Sequence, residues 1–173
     1  MKEMRPADSF YDNVRKILPF RFLEDRSARE LLSMSQVLSF EEGENIICQG
    51  ELNQSLYAVI KGSVKVTVHQ DDGEDSYICT IGNGEVFGEA GMFLKVPRTA
   101  NVVCVSDSTV VMIPRKSLLH FIRLFPAEGN KLLMMIIYSL LRKLKESNQE
   151  LAYERRGDSG QDDIDALVKD LLG

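Results

Sequence analysis

Between Phe40 and about Pro114, apolar and polar residues alternate with a period of two. Val64, Val66 and Val68 interleave with Lys65, Thr67 and His69, the pattern of a half-buried strand. Gly43, Gly50, Gly62, Gly73, Gly82 and Gly84 punctuate this region at turn-like intervals. The polar run Asp71–Asp75 predicts a hairpin tip between strands ending near Gln70 and starting near Ser76. Ser106–Ser108 separates Val102–Val105 from Thr109–Ile113 in the same way. Many short strands joined by tight turns predict a closed or two-sheet β structure such as a jelly roll.

On either side the period is helical. Asp8 is placed to cap a short helix carrying Phe10, Val14 and Ile17, which Pro19 is expected to stop. Ser27 and Glu30 have capping-box spacing, and Leu31, Leu32, Val37 and Leu38 suggest one apolar helix face. After Pro114 a short helix is expected over Lys116–Phe125, broken by Pro126, and a longer one from about Ala127 to Tyr153. Within it Leu133, Ile137, Leu140, Leu144, Ser147 and Leu151 are spaced 4-3-4-3-4, a heptad seam with one polar interruption. Leu132, Met135 and Ile136 form a second apolar face suited to the barrel, so helix 131–152 is a candidate homodimer seam. The expected fold is α+β: a β jelly-roll barrel flanked by N-terminal helices and a long C-terminal helix. The expected divisions are 1–39, 40–114, 115–153 and a linker with a short amphipathic tail over 154–173.

Composition narrows the class. The chain has 173 residues with 44% hydrophobic and 27% charged residues, which fits one ordinary globular domain with an extension and excludes a mainly disordered chain. Its net charge of −5 argues against a protein that holds nucleic acid by neutralising phosphates. The run Leu132–Leu141 is far shorter than the ~20 apolar residues a membrane span needs, and the N-terminal twenty residues do not read as a signal peptide. Cys48, Cys79 and Cys104 are widely spaced and odd in number, so they are expected to be reduced core thiols of a cytoplasmic protein.

The candidate chemistry lies in 84–102, from Gly84-Glu-Val-Phe-Gly-Glu-Ala-Gly to Pro97-Arg-Thr-Ala-Asn-Val102. A glycine-bounded turn into a short helix exposes backbone N–H groups that attract an anion. Arg98 adds a fork suited to phosphate oxygens. Glu89 would repel a bare phosphate, so its presence points to a ligand with a hydroxyl beside the phosphate, as in a ribose phosphate. Thr99 adds a hydroxyl for either phosphate or base.

This stretch resembles the phosphate-binding cassette of the cyclic-nucleotide-binding domain family, in its F-G-E…R-T-A form. Phe40-Glu-Glu-Gly-Glu-Asn-Ile-Ile, Gln49-Gly-Glu51 and Leu56–Gly62 resemble the preceding strands and turns, and the likeness covers roughly 18–151. It implies a site built from Gly88, Glu89, Ala90, Gly91, Arg98, Thr99 and Ala100. Glu89 would accept from the ribose 2′-hydroxyl, and Arg98 would pair with the cyclic phosphate, helped by the Gly91 and Thr99 N–H groups. Thr99 suits either cAMP or cGMP, and residues around Leu133–Leu141 would cover the base. The chain departs from the family at Ala90, where Leu, Ile or Met is usual, and at Gln54, where an Asp is frequent. The implied function is a cyclic nucleotide sensor that signals through its C-terminal helices to a protein partner.

Rival readings make different demands. A decayed, non-binding module would bury Arg98 and Glu89 without a ligand, which is costly unless they pair with each other. A metal-dependent jelly-roll enzyme needs two or three His and a carboxylate. The chain offers only His69, on an outward strand position, and His120, on an apolar helix face. The expectation is therefore a binding protein, with neither a metal nor an enzymatic activity. Residues 153–173 hold six acids and three bases, which opposes DNA contact. Ser159–Leu172 resembles the receiver-binding peptides of flagellar switch proteins and the chemotaxis phosphatase. The implied partner is a receiver-domain protein that meets Ile164, Leu167 and Leu171.

Overall fold

The computed structural model describes the backbone of residues 2–4, 8–70, 73–94 and 96–172, and the side chains of these between 11 and 149. Three short helices open the chain after strand β1 (Lys2–Met4): α1 (Asp8–Val14), α2 (Leu18–Arg21) and α3 (Asp25–Ser33). Strands β2 (Gln36–Phe40), β3 (Asn45–Ile47), β4 (Ser55–Lys61), β5 (Val64–His69), β6 (Asp75–Ile81) and β7 (Val86–Phe87) follow. Helix α4 (Glu89–Leu94) then precedes β8 (Asn101–Cys104) and β9 (Ser108–Pro114), and α5 (Arg115–Leu124) and α6 (Pro126–Leu172) close the chain.

The strands form two antiparallel sheets, ordered β1-β2-β9-β4-β7 and β3-β8-β5-β6, so the expected jelly roll is present. Strands β2, β9, β4 and β7 of the first sheet bury residues on both faces, and their period-two alternation sorts side chains into two cores. Leu56 and Ala58 of β4, Val111 and Ile113 of β9 and Val86 of β7 join a cluster with helix residues Phe20, Leu31, Phe121 and Leu132. Tyr57, Val59, Val110 and Phe87, one step along the same strands, join Ile47, Val64 and Val102 in the barrel interior. Truncating a fully buried aromatic such as Phe121 would cost about 3–5 kcal/mol, so the helix-side layer is a core in its own right.

Several local expectations are corrected. The first helix ends at Val14, before Pro19, and Pro19 sits in the opening turn of α2, where a missing N–H costs nothing. Pro126 likewise starts α6 rather than only ending α5. Val37 and Leu38 lie on β2 instead of a helix, and β1, which was not foreseen, pairs with β2. The β5–β6 ladder shifts register between Val66 and Thr67, which turns Thr67 inward and leaves Val68 half-buried. Of the three thiols only Cys104 is buried; Cys48 is exposed and Cys79 intermediate. His120 is exposed, because α5 buries the opposite face, with Leu118 and Phe121. The stretch expected to be a linker is helical as part of α6: Gly157 and Gly160 are isolated, and each costs a helix only about 1 kcal/mol.

The chain divides into two compact units, Met1–Ile136 and Ile137–Gly173. In the first, Leu132 and Ile136 are 1% exposed, consistent with the apolar face foreseen for the barrel. In the second, Ile137, Leu140, Leu141 and Leu144 are exposed. Among the described residues no helix is long and apolar enough to cross a membrane.

The capping box expected at Ser27 and Glu30 is replaced by a longer-range device. Helix α3 begins at Asp25, and its N-cap residue Glu24 makes no side-chain cap. Instead the Glu128 carboxylate of α6 accepts from the Glu24 backbone N–H at 2.9 Å and from the Ser27 hydroxyl at 3.3 Å, and it also takes the Lys131 ammonium. Burial is the largest single influence on Glu128 and raises its pKa. The donations from Lys131, Glu24 and Ser27 outweigh it and hold the carboxyl below its ordinary value. A depressed carboxylate contributes stability that is fully present above its unfolded pKa and lost as pH falls through its folded one. Glu128→Ala is expected to destabilise the fold by about 1–3 kcal/mol at neutral pH, measured by urea unfolding. That penalty should shrink as pH falls below the ordinary Glu value of 4.5.

Candidate functional site

Strand β7 delivers the chain to Gly88, whose φ of +81° lies in the left-handed region, and α4 starts at the next residue. The turn is needed because the backbone passes directly against a charged side chain. A Cβ at Gly88 would meet Arg98 Nη1 at 2.9 Å, and one at Gly91 would meet it at 2.6 Å. Both glycines are therefore the walls of an arginine slot.

Arg98 fills that slot and is 5% exposed. A guanidinium keeps its charge in proteins, so burying it demands acceptors. The fold supplies three of them from two segments. Nη1 donates to the Gly88 carbonyl at 2.6 Å, and Nη2 donates to the Ser55 carbonyl at 2.6 Å and to Asn53 Oδ1 at 3.2 Å. The backbone is pinned as well: Arg98 N–H donates to the Glu51 carbonyl, and the Arg98 carbonyl accepts from Gly50 N–H. Burial disfavours the charged form of Arg98, whereas Tyr57, Glu51 and Glu89 favour it. Nε, itself buried, has no partner among the described residues, and neither has the buried Glu51 Oε1.

The other expected residues are arranged around this slot. Glu89 is 7% exposed and begins α4; Gly91 is buried. Gly88 and Ala100 are half-buried, whereas Ala90 and Thr99 are exposed. The structure thus brings the two charged residues of the sequence motif to one buried region and leaves the Thr99 side chain open. Sequence reasoning missed Asn53, Ser55, Glu51 and Tyr57, all from the loop and strand before the cassette. Asking which groups accept from a buried Arg98 is the signal that leads to them.

Other places fit an anion poorly. A hollow of about 340 Å³ is lined by Glu41, Glu44, Asp107 and Lys61 among others, an acidic wall that opposes phosphate and shares no cassette residue. His69 is exposed, with Nδ1 2.8 Å from Asp75 Oδ1. Among the described residues no three His, Cys, Asp or Glu side chains converge to hold a metal ion.

Steric closeness at Gly91 has a measurable consequence. Gly91→Ala is expected to force Arg98 off its carbonyl acceptors and to cost about 1–3 kcal/mol in urea unfolding. In an Arg98→Ala background the same change should be close to neutral, a coupling that a double-mutant cycle reads directly.

Comparison with known proteins shows what the chain is similar to. A profile of the cyclic nucleotide-binding domain matches residues 37–124, which include every residue of the arginine slot. A CRP-like cAMP-activated global transcriptional regulator of Mycobacterium tuberculosis is 28% identical over 133 residues, 77% of this chain and 58% of that protein. The cyclic AMP receptor protein of Thermus thermophilus is 32% identical over 120 residues, 69% of this chain and 54% of its own length. This chain therefore spans little more than half of these relatives. A solved cyclic nucleotide-binding domain from Methylobacillus flagellatus superposes with a TM-score of 0.81 at 21% identity, covering 88% of both chains, a likeness of fold.

Proposed function

The chain belongs to the cyclic nucleotide-binding domain family, and on that premise we propose that it is a sensor of cAMP or cGMP. The observation that carries this reading is Arg98, a buried cation whose Nε–H lacks a partner among the described residues, in a cassette that also buries Glu89. A buried unpaired donor costs about 1–3 kcal/mol, and a phosphate oxygen would relieve it. In this reading Arg98 takes the cyclic phosphate together with the Gly91 and Thr99 N–H groups. Glu89 accepts from the ribose 2′-hydroxyl, and the exposed Thr99 hydroxyl is free to meet phosphate or base. Gly88, Ala90 and Ala100 complete the wall. The protein acts by binding and release, as a regulator and not as an enzyme.

The output in this reading is mechanical and runs through the C-terminal helices. Ligand free energy shifts an open–closed equilibrium only by its differential affinity for the two states. The exposed row Ile137, Leu140 and Leu144 supports the proposed homodimer seam. The proposed receiver-domain partner would meet Ile164, Leu167 and Leu171, whose side chains lie outside the described residues.

Two measurements test the proposal. Calorimetry with cAMP and with cGMP is expected to give saturable binding to at least one, and the pair assigns the base. Arg98→Ala should weaken that binding by about 2–5 kcal/mol, and wild-type-like affinity in this variant would overturn the assignment. Sedimentation equilibrium is expected to return twice the chain mass, and Ile137→Glu combined with Leu144→Glu to return the single mass.

A further inference from the structure

We propose that Asn53, braced by Tyr57, is a positioning residue that sets the angle of the Arg98 guanidinium and so leaves Nε as the donor offered to a phosphate. This deepens the cyclic nucleotide reading above and rests on it. Three acceptors hold the guanidinium, and two of them, the Gly88 and Ser55 carbonyls, are main-chain groups. Asn53 Oδ1 is the one side-chain acceptor of the three, so it is the acceptor that a single substitution removes.

Asn53 is itself fixed. Its Oδ1 also accepts from Ser55 N–H at 2.9 Å, and its Nδ2 donates to the Tyr57 hydroxyl at 2.8 Å. Turning the amide over would face its NH₂ with the Ser55 N–H and an Arg98 N–H, donors against donors, so one orientation is strongly preferred. Tyr57 in turn is 2% exposed and stacks on Phe87 with centroids 5.2 Å apart and planes 10° from parallel. The same ring lies 5.8 Å from Arg98 Cζ, within cation–π range. The ring therefore supports the guanidinium directly and also anchors the amide that steers it. Nη2 spends both of its N–H groups on these acceptors and Nη1 spends one on Gly88. Nε is the buried nitrogen without a partner among the described residues.

The test compares full-length wild type with Asn53→Ala, Asn53→Asp and the pair Arg98→Ala and Asn53→Ala/Arg98→Ala. Without any ligand, the ¹⁵N NMR signal of Arg98 Nε–H is expected to move in Asn53→Ala and to return towards its wild-type position in Asn53→Asp, which keeps the acceptor. A signal unmoved in Asn53→Ala overturns the inference whatever the nucleotide result. In calorimetry with cAMP and cGMP, Asn53→Ala should weaken binding about ten- to hundredfold, the scale of one hydrogen bond to a charged group. Asn53→Asp should stay within about threefold of wild type, and Asn53→Ala should add nothing once Arg98 is gone. Equal affinity of wild type and Asn53→Ala, or the same loss in both Arg98 backgrounds, overturns the positioning role. Should Asn53→Ala unfold by circular dichroism, Asn53→Asp decides: near-wild-type affinity supports the role, and a tenfold loss overturns it. A wild type that binds neither nucleotide but whose Nε signal behaves as described overturns the functional reading and leaves the positioning intact.

Discussion

A guanidinium cannot shed its charge to escape burial, so enclosing Arg98 obliges the surrounding chain to aim acceptors at it. That obligation organises the cassette. Gly88 adopts a left-handed backbone so that its carbonyl can reach Nη1, and Gly91 lacks a side chain because the arginine occupies the space one would need. The loop from Gly50 to Ser55 is drawn alongside as well, through the Gly50 and Glu51 backbone bonds to Arg98 and through Asn53 and Ser55 at its other end. Segments more than forty positions apart are thus tied at one cation. The guanidinium's bonds to the Gly88 and Ser55 carbonyls, 2.6 Å each, are short and charge-assisted, the strongest kind available to neutral acceptors.

The same constraint explains why the site sits where the two cores meet. Strands β4 and β7 bury alternate residues on opposite faces, Tyr57 and Phe87 into the barrel and Leu56, Ala58 and Val86 towards the helices. Tyr57 then serves the barrel as a stacked aromatic and the site as a support for Arg98. A residue with both duties cannot shift its ring without disturbing the packing of Phe87, and close-packed interiors resist such shifts. Rigidity at the floor of the slot comes from the barrel, at no cost in additional polar contacts.

How much of this was legible in the sequence follows from the range of each interaction. Arg98 and Glu89 stood out because they sit in a glycine-bounded turn into a short helix, a local pattern that resembles a phosphate-binding cassette. The jelly roll was legible from period-two alternation and turn residues, which are local signals. The Thr67 register shift was not, because a bulge depends on the partner strand and Val66-Thr-Val68 reads as plain alternation. Asn53 was invisible for a similar reason: it meets Arg98 across 45 positions, and nothing near it in sequence marks it as more than a loop residue. Glu128 reaches Glu24 across 104 positions, and so a local capping pattern at Ser27 and Glu30 stood in for a cap that comes from another helix. Proline was over-read as a stop signal at Pro19 and Pro126, where its fixed φ suits a first turn equally well.

From Arg98 outward, polar and packed contacts continue to the C-terminal helices within the first unit. Gly88 leads into α4, whose Met92 is buried with Leu118, Phe121 and Ile136 and whose Met92 carbonyl accepts from Arg115 Nε at 3.0 Å. Arg115 opens α5, and α5 meets the start of α6 where Gly129 leaves no room for a Cβ against Ile122. Glu128, one residue earlier, ties α6 back to α3. Continuity of this kind becomes coupling only when a ligand favours one arrangement over another. In the proposed function the differential term originates at Nε: a phosphate there competes with the Gly88 and Ser55 carbonyls for the pull of the same cation. In that reading a tilt of the guanidinium would pull on the Gly88 carbonyl at the root of α4. Met92 packs with Leu118, Phe121 and Ile136, so in that reading the pull would reach α5 and the start of α6, because a packed interior tolerates a shift better than a void.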